Sequence, residues 1–414
     1  MILLLGNLTL TRALADGAAS TDAMRRLPGR YVEVITDLPT SHVVDELPTV
    51  FDLAVEQLAE YFEVETARLE GWRITVYVMQ RPERFQQLGM WSDDLPDFQF
   101  GFHRGNECWV HDQPSDYYRR HLVIHEGVHA FMYRFLGGAG PAWYREGIAD
   151  MLATHEWENG ELTINQIPLD KRDVPDWGRI KVIREAVDVG RGMTIEEVME
   201  LSSRRFFRVD AYAWSWALCA FLDGHPRWRS AFRNLKSLAT RRAQEFNGQL
   251  LKQLRTGPPV QEAWQVYLSE LDYGYRVAED FIWYDPPPTG ADGEIPVASN
   301  RGWQSTGIHM ERGQIYQLRA TGRYRLNDQD PPWTSEAGGI TLEYYRGRPR
   351  GMLLMAIRGQ VGDTATPLSD PQPLGLEQRV RPSRSGVLFV RINESAGQLS
   401  DNRGSLQLVV QPAD

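Results

Sequence analysis

His121-Leu122-Val123-Ile124-His125-Glu126-Gly127-Val128-His129-Ala130-Phe131-Met132-Tyr133-Arg134-Phe135-Leu136 is the stretch from which the rest of the chain is read. Its apolar residues, Leu122, Val123, Val128, Phe131, Met132, Phe135 and Leu136, recur with a helical period, and Gly137 to Pro141 stops the helix. His125 and His129 lie one turn apart in an HExxH pentad, so both imidazoles share a face and can reach one metal ion. Glu126 lies about 100° round the helix, near enough to work on a water without being a ligand. Burying these three groups is costly unless a metal or hydrogen bonds satisfy them. By itself the pentad also fits a helix with two ordinary histidines on a polar face. Gly127 costs about 1 kcal/mol against Ala in a helix, which points to close approach by another segment. His121 is in register with the other two, but three imidazoles along one helix do not easily converge on one ion, so it stays outside the ligand set.

The next helix tips the balance toward metal. It opens at Pro141 and carries Trp143-Tyr144-Arg145-Glu146-Gly147-Ile148-Ala149-Asp150. A catalytic zinc takes three protein ligands and keeps one position open, and two His with one Glu is a known set. Glu146, one tight loop after His129, is placed to complete it. Asp150 is four residues on and on the same face, and is expected to accept a hydrogen bond from the outer nitrogen of His125 or His129. The pattern resembles the gluzincins, thermolysin-like metallopeptidases with HExxH, a Glu on a following helix and an Asp four residues later. The segment PAWYREGIAD is similar to one found in uncharacterised bacterial members of that clan. Tyr212, at the head of the apolar run Ala213 to Leu222, resembles the tyrosine of the aminopeptidase branch, whose hydroxyl steadies an oxyanion. The Gly-x-Met-Glu-Asn segment of that branch is missing. The hairpin Phe98–Asp112, turning at Arg104-Gly105-Asn106, is its expected counterpart. Glu107 to His111 is the expected edge strand for extended substrate, and His103 and His111 are candidates to line the site, with surface histidines the preferred reading.

The chain has 414 residues, 42% hydrophobic and 24% charged, which describes a globular protein of two or three domains. A net charge of −10 without a long basic run argues against nucleic acid as a partner. No apolar run is long enough for an internal membrane span. Residues 1–20 hold a short apolar stretch and an Ala13-Leu14-Ala15 site before Asp16, resembling the end of a secretory signal, so export to the periplasm, cell surface or medium is expected. Two cysteines, Cys108 and Cys219, leave a bridge and a pair of free thiols both open.

Along the chain, Tyr31–Thr36 and Trp72–Met79 read as strands, Val43–Val64 as a helix broken or restarted at Pro48, and Glu158–Pro175 as loop. Thr194 to Glu197 forms a capping box, and Tyr212–Leu271 is mostly helical with a break at Gly257-Pro258-Pro259. The Pro- and Gly-rich segment 285–296 reads as a linker. Beyond it, alternating strands at Ile315–Ala320, Gly339–Tyr344, Met352–Ile357, Val387–Ile392 and Leu406–Val410 indicate a β-sandwich over 297–414. The fold class is therefore α+β: a gluzincin-like domain over 21–284 followed by an all-β domain. That tail resembles the galactophilic bacterial lectins of the PA-I type, on Trp303 to Ile308, Gly338-Gly339, Gly351, Arg391 to Glu394 and Ser400 to Ser405. The resemblance implies a calcium loop with oxygens from Glu394, the Gln398 carbonyl, Asp401 and Asn402. Glu394 departs from the lectins' shorter Asp, and their sugar-holding His-Pro-x-Gln is missing.

The function expected is zinc-dependent hydrolysis of a peptide or protein, with His125, His129 and Glu146 on Zn²⁺, Glu126 as general base and Tyr212 at the oxyanion. Two other readings remain. One is a surface or glycan-binding protein with a structural or inactive zinc domain, whose sandwich would bind carbohydrate. The other is a metal hydrolase of non-peptide substrates.

Overall fold

The computed structural model describes residues 24–91, 94–290, 293–359 and 366–413; the expected leader, 1–20, lies outside them. Elements of the first part are β1 (Arg25–Pro28), β2 (Val32–Thr36), α1 (His42–Asp45), α2 (Leu47–Phe62), β3 (Ile74–Met79), α3 (Pro82–Gln87), β4 (Gly101–Arg104), β5 (Glu107–His111), α4 (Asp116–Phe135), α5 (Ala142–Ala153), β6 (His155–Glu158) and β7 (Glu161–Ile164). The helical continuation is α6 (Arg179–Asp188), α7 (Ile195–Met199), α8 (Val209–Gly224), α9 (Arg229–Arg233), α10 (Ala243–Leu254) and α11 (Val260–Glu270).

One sheet runs β1-β2-β3-β5-β4, with β2, β3 and β5 parallel and β4 returning antiparallel at the end. Alternation gives the sheet two faces. Val34, Val76, Val78 and Val110 join the main core with α2 and α4, whereas Ile35, Tyr77, Met79 and Trp109 form a smaller cluster behind. Helix α4 starts where Ser115 accepts a hydrogen bond from the Tyr118 amide, and it ends just before Gly137, whose φ of +75° suits glycine. It is buried along nearly all its length.

Two expectations are corrected. The edge strand is β4, not Glu107–His111: β5 lies between β3 and β4, because it pairs parallel with β3 and leaves the hairpin's first arm outside. The stretch read as loop from Glu158 begins with the hairpin β6–β7, turning at Asn159-Gly160. Its strands are four residues long, too short for alternation to show in sequence. Of the alternatives left open for the cysteines, both are free and buried.

The last part holds β8 (Ile295–Ala298), β9 (Gln304–Met310), β10 (Ile315–Thr321), β11 (Tyr324–Arg325), β12 (Thr334–Ser335), β13 (Gly338–Tyr345), β14 (Arg348–Arg358), β15 (Gln372–Pro373), β16 (Glu377–Val380), β17 (Gly386–Ile392) and β18 (Ser405–Ala413). The sheets β16-β10-β18-β8 and β13-β14-β17-β9 enclose Leu318, Leu353, Leu388, Leu406 and Leu408. The molecule is thus α+β with a β-rich C-terminal region. The two parts are in contact: the Trp283 amide donates to the Trp303 carbonyl at 2.7 Å, and Arg358 meets Glu262 at 2.8 Å. Arg391, 2% exposed, lies 3.6 Å from Glu270 and 3.4 Å from Asp280.

Candidate metal centre

Helices α4 and α5 bring three side chains to one point. Glu146 Oε2 lies 3.5 Å from His125 Nε2 and 3.4 Å from His129 Nε2. Two ligands about 2.0–2.1 Å from a tetrahedral ion are roughly 3.3–3.4 Å apart, so these spacings suit a zinc between them. One ligand atom from each residue falls within 4.8 Å of the others, and all three residues are buried. The donor set of two imidazoles and a carboxylate therefore fits zinc. The other carboxylate oxygen, Glu146 Oε1, accepts a hydrogen bond from Arg145 Nε at 2.8 Å. Burial would raise the Glu146 carboxyl, but His129, His125 and Arg145 hold it well below the usual carboxylate range. Burial, with the Glu146 charge adding to it and His125 and Arg145 opposing, pushes Glu126 up, to about 7.

Asp150 does not orient either ligand histidine, which corrects the expectation above. Its Oδ1 accepts from His121 Nε2 at 2.8 Å, and Arg179 Nε donates to its Oδ2 at 2.7 Å. The outer nitrogens, Nδ1 of His125 and of His129, have no hydrogen-bond partner among the described residues, and His125 Nδ1 is 3.9 Å from Asp150. The reason is the sense of packing. One turn forward along α5, from Glu146 to Asp150, corresponds to one turn back along α4, from His125 to His121. Burial opposes charge on His121, yet both its ring nitrogens face acceptors, Asp150 and the Ala153 carbonyl. His121 was set aside as a ligand, and here it forms the layer beneath the site.

A cavity of about 690 Å³ opens over His125, Glu126, His129 and Glu146. It is lined by Phe98 and Phe100 ahead of β4, by Phe102 of β4, and by Phe206 and Tyr212. Gly101 lets the strand lie over the base: a Cβ there would be 2.5 Å from Glu126 Oε1. Tyr212 lies beside the site, its ring centroid 6.1 Å from that of His125. Burial, then Glu146 and Glu126, pushes its hydroxyl well above the usual range, so it stays a proton donor. His103 also lines this cavity, stacked on Tyr133, so it is not a plain surface histidine. Sequence reading missed Gly101, Arg145 and Arg179. Only Arg145, next to a proposed ligand, carried a signal that could have been read.

The loop after β17 does not fit calcium. Glu394 is fully buried and Arg350 donates to its Oε1. Its Oε2 accepts from Asn402 Nδ2, which also donates to the Ser299 carbonyl at 3.0 Å and so fixes the amide with nitrogen inward. Calcium needs oxygens at these positions. Asp401 Oδ1 and Asn402 Oδ1 are buried without a hydrogen-bond partner among the described residues.

Among the described residues no helix is long and apolar enough to cross a membrane. No family model matches the chain, and no curated protein matches it. Among solved structures the chain is similar to the EclA N-terminal domain, a PllA-like lectin, at 19% identity over 29% of this chain and 95% of that one, with a TM-score of 0.23.

Proposed function

We propose that the chain is an exported zinc-dependent peptidase whose metal is held by His125, His129 and Glu146. The observation that carries this reading is one carboxylate oxygen 3.4–3.5 Å from two imidazole nitrogens, beneath an open cavity that also holds Glu126. Zinc, when bound, supplies a Lewis acid that lowers the pKa of water and polarises a carbonyl. Glu126, buried and lining the same cavity, takes a proton from water and returns it to the leaving amine. The terminal strand β4 offers its free edge to an extended peptide. Tyr212 lines the same cavity, and its hydroxyl serves as the donor to negative charge on the carbonyl oxygen.

The test is elemental analysis of purified protein beside Glu146→Ala, followed by a peptide-library digest with Glu126→Gln. One zinc per chain, weakened by Glu146→Ala, is expected. Glu126→Gln should keep zinc and lose about 10²–10⁴-fold in rate. Zinc-free protein after growth with zinc would remove the metal reading. Full activity in Glu126→Gln would remove its role as base.

A further inference from the structure

We infer that the Arg350 guanidinium is the resident cation of the loop between β17 and β18, so that the C-terminal sandwich holds this loop without a divalent ion. Arg350 lies on β14, beside β17, where the Gly351 amide donates to the Asn393 carbonyl at 2.9 Å. Every arm of its guanidinium is used. Nε and Nη2 both meet Glu394 Oε1, Nη2 also donates to the Leu326 carbonyl at 3.0 Å, and Nη1 donates to Glu343 Oε2 at 2.8 Å.

The partners are those a hard cation would take: a buried carboxylate, a backbone carbonyl and a second carboxylate. Arginine meets them as a planar, permanently charged group with directed donors. An ion placed on the same Glu394 oxygen would lie against this guanidinium, and like charges that close in a buried site repel strongly. Asn402 reinforces the exclusion, because it turns nitrogen rather than oxygen toward Glu394. The oxygens left over, Asp401 Oδ1 and Asn402 Oδ1, are buried and unpaired, so ligand atoms for an ion stand close by once the guanidinium is gone.

The experiment is calorimetric titration of calcium chloride into the zinc-loaded full chain, with Arg350→Ser and Arg350→Lys alongside. Wild type and Arg350→Lys should show no calcium heat, and their Tm should not change in millimolar calcium. Arg350→Ser should gain one calcium per chain and a Tm that rises with calcium concentration, as linkage requires for a ligand of the folded state. Stoichiometric calcium binding by wild type would overturn the inference. So would an Arg350→Ser protein that folds and gains none. If Arg350→Ser does not fold, the wild-type titration still decides, since a resident guanidinium and a calcium ion exclude each other.

Discussion

Arg145 splits the Glu146 carboxylate, one oxygen to its own Nε and the other toward His125 and His129. Such support tunes a ligand, and its loss commonly costs 10–100-fold in metal affinity. Arg145→Gln is therefore expected to weaken zinc by about tenfold, read by competition with a chromophoric chelator; an unchanged Kd would assign Arg145 to the cleft wall alone. Gly127 answers a different demand. A Cβ there would lie 2.1 Å from Cε2 of the Phe51 ring of α2. Ala gains about 1 kcal/mol in helix propensity but overpacks a tight core at about 1–3 kcal/mol. Gly127→Ala should thus lower stability by about 1 kcal/mol in urea unfolding, and a more stable variant would show that Phe51 moves aside freely.

At the scale of elements, α5 rests between α4 and α8. Gly147 permits this: a Cβ would lie 2.5 Å from the Ser215 carbonyl of α8. The end of α5 leads into His155, whose Nδ1 donates to the Ala153 carbonyl at 2.9 Å while Arg120 donates to its Nε2 at 3.2 Å. That is a neutral ring, and burial first, then Arg120 and His121, holds it down to about 3. His225, at the end of α8, is pushed down to about 3 by burial and by Arg227 and Arg229. Both folded values are depressed below the ordinary histidine value near 6.5, so their contribution is present above about pH 6.5 and lost as pH falls toward 3. Each adds a slope of up to about 1.4 kcal/mol per pH unit. Urea midpoints of metal-free protein should drop between pH 7 and 4, and His155→Gln should flatten the drop; an equal slope in the variant would mean that His155 titrates normally.

At the scale of the whole molecule, the helical part and the sandwich are joined by buried charge. Arg391 of β17 serves Glu270 of α11 and Asp280, and burial pushes Asp280 up to about 6 despite the guanidinium. Removing one partner of such a group costs about 3–5 kcal/mol, because the others stay buried without compensation. Arg391→Met should lower Tm and separate one unfolding transition into two by calorimetry. A single, unshifted transition would show that the apolar contacts around Trp303 and Phe389 carry the interface.

What the sequence determined by itself was local. Helical period placed α4, Pro141 after the glycine run marked the start of α5, and spacings of four put His125 with His129 and Glu146 with Asp150 on common faces. Alternation likewise marked β10, β13, β14, β17 and β18 of the sandwich but not the seven-residue β9, while four-residue β6 and β7 were too short to register. The tertiary structure decided everything that depends on residues distant in the chain. The antiparallel sense of α4 against α5 hands Asp150 to His121 and Arg179 instead of to a ligand histidine. Parallel pairing of β5 with β3 makes β4 the free edge. A guanidinium 44 residues before Glu394 takes the carboxylate that the loop's own sequence offers to calcium. Periodicity reports which face a side chain lies on; only the packed fold determines which group it meets there.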